Sequence, residues 1–217
     1  MSKPFINRDA DPTVEGFLHE PEHANGDAFL LTHGAGANCE TKLLVATADA
    51  LAAAGFLVLR FDLPFRQERR HGPPRFGSAA RDREGIRRAV LVMKARGDGR
   101  VFLGGHSYGG RQATMLLAEQ PPLVDGLMLL SYPLHPPKKP KELRTEHFPK
   151  LTTPALFVHG TRDPFASSAE MKAALAEIPA RHELLEVEGA GHDLVGKSGE
   201  IEVAARIATA FREFIDR

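Results

Sequence analysis

The feature that most constrains the fold of this chain is a serine set between glycines at the end of a short apolar run. Residues 101–110 read Val-Phe-Leu-Gly-Gly-His-Ser-Tyr-Gly-Gly. This is the pattern G-x-S-x-G, in which a strand turns sharply into a helix and holds the serine side chain at the top of a sheet. Gly105 and Gly109 lie two residues before and after Ser107, where a Cβ would collide with neighbouring backbone. The motif predicts a strand, a tight turn and a helix, with Ser107 as a nucleophile at the turn.

Composition restricts the class of protein in which this motif occurs. A chain of 217 residues is the size of one domain, here residues 1–217, and is long enough to bury a substantial core. The 28 basic and 28 acidic residues balance, which argues against general attraction to nucleic acid or to a membrane surface. The single cysteine, Cys39, cannot form an internal disulfide and fits a reducing compartment. With no apolar leader or membrane-spanning run, we expect a cytoplasmic protein.

Short apolar runs alternate with helical patterns along most of the chain. The runs are continuously apolar, as in strands that helices cover on both faces. Predicted strands are residues 29–33, 56–61, 101–103, 127–130, 155–158 and 184–187, and predicted helices are residues 38–54, 79–96, 107–119 and 167–177, with a last helix carrying Ile201, Ala204, Ala208, Phe211 and Ile215 on one face. Asn38 is the expected N-cap of the first helix and Gly55 its C-terminal stop. The alternation predicts an α/β fold with a mainly parallel, doubly wound sheet and an antiparallel edge strand near residues 13–19.

Ser107 has two suitable partners, and each follows a different predicted strand. Asp163 comes after the strand at residues 155–158, and His192 lies between the last strand and the last helix. Because ligands bind beyond the carboxyl ends of parallel strands, we expect the three side chains to meet at one edge. A serine hydroxyl needs a base to remove its proton, and that base needs a third group to hold its tautomer. The chain order Ser107, Asp163, His192 is the order used by α/β-hydrolases.

The resemblance to α/β-hydrolases extends over nearly the whole chain. Within that superfamily, the chain resembles the small dienelactone-hydrolase-like predicted hydrolases, which share the elbow at residues 104–111 and the Arg-Phe-Asp-x-Pro-Phe strand end at residues 60–65. A basic, proline-rich loop follows that strand end, as it does here with Arg69 and Arg70. The group includes a testis-expressed animal protein and a chromatin-complex subunit. Dienelactone hydrolases proper have cysteine at the elbow, whereas this chain has Ser107.

This pattern implies a serine hydrolase that cleaves small esters or thioesters through an acyl-enzyme. The expected oxyanion donors are the backbone N–H groups of Tyr108, which follows the nucleophile, and of Ala35 in the loop after the first predicted parallel strand. The expected partner is a small-molecule substrate, and neither a cofactor nor a metal is expected. The alternative is a weakly active or inactive hydrolase-like module that binds a partner or serves as a scaffold. Thioesterase, peptidase and acyltransferase activities remain open, since they use the same side chains.

Other residues of the same types have competing interpretations. Asp193 and Asp62 are rival acids, and Asp163 has a second interpretation as the cap of the helix after Pro164. His33, His106 and His159 are expected to brace loops or pack rather than to act as bases. Cys39 is expected to be a small buried residue in the first helical turn.

Two basic loops are expected near the site, and their role is open. They contain Arg66, Arg69, Arg70, His71 and Arg75, then Lys138, Lys139 and Lys141. They are either solvated loops or a source of preference for anionic substrates, with Arg69 and Arg70 as candidate substrate-binding residues. Residues 133–150 stand where many lipases carry a large lid, and this short, proline-rich segment predicts a minimal lid and an open site.

Overall fold

The protein folds around one sheet with helices on both faces. The computed structural model describes residues 2–120, 122–196 and 199–217. The strands are β1 Ser2–Asn7, β2 Val14–His19, β3 Ala28–Thr32, β4 Leu57–Phe61, β5 Val101–His106, β6 Gly126–Leu130, β7 Ala155–Gly160 and β8 His182–Val187. The helices are α1 Lys42–Ala53, α2 Pro64–Glu68, α3 Ala79–Lys94, α4 Tyr108–Glu119, α5 Ser168–Leu175 and α6 Gly199–Ile215, with a 3₁₀ turn at Phe148–Lys150. In these described ranges, no helix combines the length and the hydropathy needed to cross a membrane.

The order of the strands predicts a crevice at the carboxyl ends of the two central strands, β3 and β5. The eight strands lie in the order β1-β2-β4-β3-β5-β6-β7-β8, and β3 to β8 are parallel. The chain runs from β3 outward to β4 and then returns to place β5 on the other side of β3. Loops that leave β3 and β5 therefore separate at their carboxyl ends and leave a crevice between them. Ser107 follows β5, directly at this crevice.

Alternating side chains of the central strands supply two cores, one on each face of the sheet. Leu30 of β3 joins the core under α3, α4 and α5, while its neighbours Phe29 and Leu31 join the core under α1 and α6. All three side chains are fully buried. This explains the continuously apolar runs, because both faces of each strand need apolar side chains.

The predicted α/β architecture is confirmed, but the N-terminal region differs from the prediction. The strand expected near residues 13–19 exists as β2 and is antiparallel to β4. It is not the edge strand, because β1 pairs outside it. Most β1 side chains are exposed, so that strand has no apolar alternation that the sequence could reveal.

Two details of the predicted helices are wrong. Helix α1 begins at Lys42 rather than after Asn38, whose side chain instead accepts a hydrogen bond from the Glu40 N–H at 3.0 Å and closes a turn. In α6, Ile201 is 82% exposed, whereas Val203 and Ile207 are buried. Ala204, Ala208 and Phe211 of the predicted face are buried as expected, so only the limits of that face differ from the prediction. Contacts of α6 with α1 and the sheet determine those limits. Gly55 does stop α1, with φ of 97°.

The segment between β6 and β7 is a packed connection rather than a large lid. Its regular structure is the single 3₁₀ turn, and Tyr132, Leu134 and Phe148 are buried in the main core. The Tyr132 and Phe148 rings lie 5.2 Å apart between centroids. The segment therefore adds to the core and leaves the carboxyl edge of the sheet uncapped by a helical domain.

The turn from β5 into α4 depends on backbone-to-backbone contact. A Cβ placed on Gly105 would lie 2.4 Å from the Gly110 backbone N, and one on Gly109 would lie 2.6 Å from the His33 carbonyl oxygen. Both distances are shorter than real Cβ contacts allow. The glycines thus let α4 start directly against β5 and the loop after β3, which places Ser107 in the crevice.

We expect Gly105→Ala to lower the free energy of unfolding by at least about 2 kcal/mol, because the new methyl group overpacks backbone that cannot move aside. Urea denaturation at neutral pH measures this loss. Gly97→Ala is the matched control, since no atom lies within 4 Å of its Cβ position. Equal stability of the Gly105→Ala variant and wild type would contradict the close packing at the turn.

Candidate active site

Ser107 sits on a strained turn that exposes its side chain at the carboxyl edge. Its backbone has φ of 51° and ψ of −112°, a conformation that residues other than glycine seldom adopt. Such strain costs about 1–3 kcal/mol and persists only where the surroundings enforce it. Here the Ser107 N–H donates to the Leu130 carbonyl of β6 at 2.8 Å, and α4 begins at the next residue.

Ser107, His192 and Asp163 form one chain of hydrogen bonds. Ser107 Oγ lies 2.8 Å from His192 Nε2, and His192 Nδ1 lies 2.8 Å from Asp163 Oδ2. The Asp163 side chain is fully buried, and the His192 side chain is 23% exposed. The Phe165 ring packs on the imidazole with centroids 4.2 Å apart. The structure therefore brings these three residues together from loops that are distant in the sequence.

The two oxygens of Asp163 have separate roles. Oδ2 accepts from His192, while Oδ1 accepts from the Phe165 N–H at 2.9 Å and closes the turn after β7. The capping interpretation of Asp163 is wrong, because α5 starts later, at Ser168, and Ser167 caps it together with Glu170. The fixed turn holds the carboxylate in the direction that the imidazole needs.

The rival acids point elsewhere. Asp193 Oδ1 accepts from the Val195 N–H at 3.1 Å. Asp62 Oδ1 accepts from the Cys39 N–H at 2.7 Å and lies 3.3 Å from His33 Nε2. Cys39 is buried in the turn before α1, not in its first turn, and burial raises the pKa of its thiol, which leaves it unreactive.

The loop that carries His192 rests on His106. His106 Nε2 lies 2.8 Å from the His192 carbonyl oxygen, and the two rings are 5.2 Å apart. Burial lowers the pKa of His106 to about 4, so at neutral pH its ring is uncharged and can donate the Nε2 proton to that carbonyl. The sequence predicted packing for His106, but it gave no indication of this bond to the histidine loop.

The loop after β3 lies beside Ser107 and offers a free donor. A Cβ on Gly34 would be 3.4 Å from Ser107 Cβ and 3.0 Å from His106 Nδ1. The Gly109 N–H donates to the His33 carbonyl at 3.1 Å and ties this loop to the start of α4. Among the described residues, no hydrogen bond uses the N–H of Ala35 or Tyr108. Both predicted oxyanion donors are therefore available to a ligand.

Arg66 holds the same loop through backbone carbonyls. Its guanidinium donates to the carbonyl oxygens of Ala37 at 2.6 Å, Ala35 at 3.1 Å, Arg69 at 2.9 Å and Gly72 at 2.9 Å. The expectation that Arg66 belongs to a basic loop, either solvated or facing an anionic substrate, is wrong. Arg66 lies buried in α2 and joins the Ala35 loop to the loop after α2. His33 braces the loop from the other side, since its Nε2 accepts from the Leu63 N–H at 3.0 Å.

A buried carboxylate anchors the side chain of Tyr108. Tyr108 Oη donates to Asp82 Oδ2 at 2.7 Å, and Asp82 Oδ1 accepts from the Phe65 N–H at 3.0 Å. Burial raises the pKa of both Asp82 and Tyr108. Asp82 was missed in the sequence because it is one charged residue within an arginine-rich helix, where an acidic residue ordinarily faces solvent.

The remaining candidates lie outside this hydrogen-bonded group. Arg69 and Arg70 are exposed, and Lys139 pairs with Glu142 at 2.9 Å. His159 Nε2 lies 2.9 Å from the Ala166 carbonyl oxygen, in keeping with its expected bracing role. No group of three or more metal-binding side chains occurs within residues 2–120, 122–196 and 199–217.

Acid should weaken the fold through His106. The unfolded imidazole takes up a proton below about pH 6.5, whereas the buried one stays neutral down to about pH 4. Protonation in that interval favours the unfolded chain, so the contribution of His106 to stability is complete above pH 6.5 and is lost as the pH falls toward 4. We expect His106→Gln, which keeps a donor but does not titrate, to flatten the dependence of unfolding free energy on pH over this interval. Urea denaturation at pH 7.5 and at pH 5 gives the unfolding free energy of both proteins. An equal loss of unfolding free energy between the two pH values in variant and wild type would contradict this role of His106.

Comparison with known proteins identifies the family to which this fold belongs. Residues 25–216 match the family described as "Alpha/beta hydrolase domain". Similar folds include an α/β serine hydrolase homologue from Coxiella burnetii (18% identity, 96% of each chain covered, TM-score 0.77) and a dienelactone hydrolase from Anabaena variabilis (23% identity, 99% of this chain and 98% of that chain, TM-score 0.78). A third is a serine hydrolase without a lid from Xanthomonas campestris (15% identity, 98% of this chain and 94% of that chain, TM-score 0.76). The narrower resemblance to the testis-expressed and chromatin-subunit proteins stays a prediction. The chain belongs to the α/β-hydrolase family.

Proposed function

We propose that this protein is a serine hydrolase that cleaves small ester or thioester substrates through an acyl-enzyme. The observation that carries the proposal is the hydrogen-bonded chain from Ser107 through His192 to Asp163, with bonds of 2.8 Å on both sides of the imidazole. Nucleophile, base and orienting carboxylate stand in the relation that acyl transfer requires. Family membership supports hydrolase chemistry in general.

Acylation begins when Ser107 Oγ attacks the carbonyl carbon of the substrate. The hydroxyl proton moves to His192 Nε2, and a new C–O bond forms as the carbonyl π pair becomes the oxyanion. Collapse of this tetrahedral intermediate breaks the bond to the leaving oxygen or sulfur. His192 gives the proton to the leaving group, and Asp163 stabilises the transient imidazolium.

Deacylation repeats the sequence with water as the nucleophile. Water loses a proton to His192 Nε2 and attacks the acyl carbon, and the returned proton restores the Ser107 hydroxyl as the acid leaves. The N–H groups of Tyr108 and Ala35 donate to the oxyanion in both halves. Losing one such donor typically costs about 3 kcal/mol of barrier. The hydrogen bonds that Arg66 and Asp82 make therefore affect the rate of acyl transfer, because they hold the segments that carry these two N–H donors.

The uncapped edge of the sheet favours small, soluble substrates. The segment at residues 133–150 packs into the core and provides no apolar enclosure for a long acyl chain. We therefore propose short acyl groups as substrates, and strong activity on long-chain triglycerides would contradict this.

The alternative of an inactive binding or scaffold module has less support. A scaffold has no need for a strained Ser107 backbone, a buried Asp163 carboxylate and two N–H groups that no described residue accepts from. Such strain and burial reduce stability and persist where function requires them.

Labelling with a fluorophosphonate probe separates the two possibilities. We expect rapid labelling of the wild type, none in Ser107→Ala, and labelling slowed by at least about a thousandfold in His192→Ala. Ser131→Ala is the matched control, because Ser131 follows the neighbouring strand β6 and its hydroxyl has no hydrogen-bond partner among the described residues. Failure of the folded wild type to react would favour the scaffold, and a labelled Ser107→Ala variant would mean that another residue is the nucleophile.

We expect Arg66→Lys to lower kcat by about ten- to a hundredfold with little change in KM, because an ammonium cannot hold four separated carbonyls and the Ala35 donor loses its fixed position. Steady-state kinetics on a short-chain 4-nitrophenyl ester gives both constants. Arg81→Lys is the control, since Arg81 is exposed and its ion pairs among the described residues are surface ones, with Glu68 at 3.4 Å and Asp11 at 3.8 Å. A change confined to KM, or equal effects of the two substitutions, would argue against a positioning role for Arg66.

A further inference from the structure

Arg111 lies one helical turn beyond the nucleophile and on the same helix face as Tyr108. Its N–H donates to the Ser107 carbonyl at 3.0 Å in the first turn of α4. Side chains on a helix lean toward its N-terminus, so that of Arg111 leans toward the end of α4 that carries Ser107. The residue is partly buried, which leaves it accessible from solvent.

The guanidinium of Arg111 has no partner within the part of the chain that the structure describes. Its Nε is buried and makes no hydrogen bond. No carboxylate lies within ion-pair distance among those residues, in contrast to Arg87 and Arg100, which pair with Glu84 and Asp27. A buried guanidinium N–H without an acceptor is costly, so its persistence beside a nucleophile calls for an acceptor supplied from outside.

A second arginine, Arg144, belongs to the segment between β6 and β7, which is attached to the helix that carries Arg111. Tyr132 Oη donates to the Arg144 carbonyl at 2.7 Å, and the Arg144 N–H donates to the Leu134 carbonyl at 2.9 Å. Three residues on, His147 Nε2 lies 2.8 Å from Thr114 Oγ1 of α4. These bonds attach the Arg144 segment to the helix that carries Arg111. The Arg144 side chain makes one long hydrogen bond, 3.4 Å to the Pro133 carbonyl.

Burial and a neighbouring cation both act on Arg144. Burial and then the Arg111 charge lower the pKa of Arg144, as expected for two cations within electrostatic range. Burial, with a further contribution from Arg111, also lowers the pKa of His147 to about 4, so that ring is neutral at pH 7. Of the carboxylates nearby, Glu142 is exposed and paired with Lys139, and Glu146 is exposed. Arg144 is thus a partly buried cation that lies within electrostatic range of a second cation, Arg111, and of the exposed Glu142 carboxylate.

We propose that Arg111 and Arg144 bind a negatively charged oxygen group, a carboxylate or a phosphate, on the acyl part of the substrate while its carbonyl meets Ser107. The inference rests on the proposed function, since it assigns a substrate class to the same site. Guanidinium groups offer paired N–H donors that match the oxygens of either anion. The anion would neutralise the arginine pair and align the acyl chain along the start of α4.

The proposed anion site at Arg111 and Arg144 differs from the one suggested by the sequence, which pointed to Arg69 and Arg70. Arg69 and Arg70 are exposed on a loop, where water screens their charge and satisfies their donors. Arg111 and Arg144 are partly buried, and their backbones are held by hydrogen bonds to neighbouring segments. Binding there is correspondingly stronger and more selective for an anionic substrate.

Two esters that differ in one terminal group test the pair. In 4-nitrophenyl hemiglutarate and 4-nitrophenyl pentanoate, the acyl chains have equal length and end in a carboxylate and a methyl group. We expect wild type to prefer the hemiglutarate, and Arg111→Gln or Arg144→Gln to lower the ratio of the two kcat/KM values by about tenfold or more, with pentanoate hydrolysis retained. Arg206→Gln is the matched control, an exposed arginine of α6. An unchanged ratio in both variants would overturn the proposal, as would loss of the preference in Arg69→Gln or Arg70→Gln instead.

Binding without turnover keeps this test independent of catalysis. In a Ser107→Ala background, we expect glutarate or inorganic phosphate to raise the melting temperature, and Arg111→Gln to abolish the rise. Comparison of the two anions identifies which group the pair takes. Absence of any rise, or a rise that survives Arg111→Gln, would overturn the anion site even if the wild type hydrolyses neutral esters. Failure of wild type to label with fluorophosphonate, with the anion effect intact, would refute only the proposed hydrolase activity.

Discussion

The close contact between β5 and α4 is the constraint on which the rest of the site depends. Gly105 and Gly110 let the two backbones touch, so the chain reverses within one residue, and that residue is Ser107. The same contact starts α4 at Tyr108 and sets Arg111 one turn beyond Ser107. The proposed nucleophile, the proposed oxyanion donor and the proposed anion site therefore derive their relative positions from one turn of backbone.

Around this turn, the site is built from loops that hold one another. His106, next to Ser107, supports the carbonyl of His192 and packs against Gly34, so the His192 loop and the loop after β3 rest on one partly buried ring. Arg66 fixes the far side of that loop. Such mutual support provides the preorganisation that acyl transfer needs, because donors already in place do not reorganise as charge develops.

Sequence reasoning succeeded where one short motif or a regular alternation carried the information. The parallel α/β architecture followed from apolar runs of strand length, and the partners of Ser107 followed from their positions after strands. It failed for β1 and for the limits of the buried face of α6, because edge exposure and the extent of helix burial depend on neighbouring elements. Arg66 and Asp82 were misjudged or missed for a related reason: a charged residue type does not reveal whether backbone groups will surround it.

The sequence by itself determined the order of the parallel strands and of the longer helices along the chain, the serine turn and the residue types available at the carboxyl edge, because these are local properties of a few consecutive residues. Only the tertiary structure decided which carboxylate faces His192, which arginine braces a loop and which arginine has a buried N–H without an acceptor among the described residues. Those outcomes depend on how segments far apart in the chain are brought together, since burial and hydrogen bonding are settled only when the whole sheet has been covered.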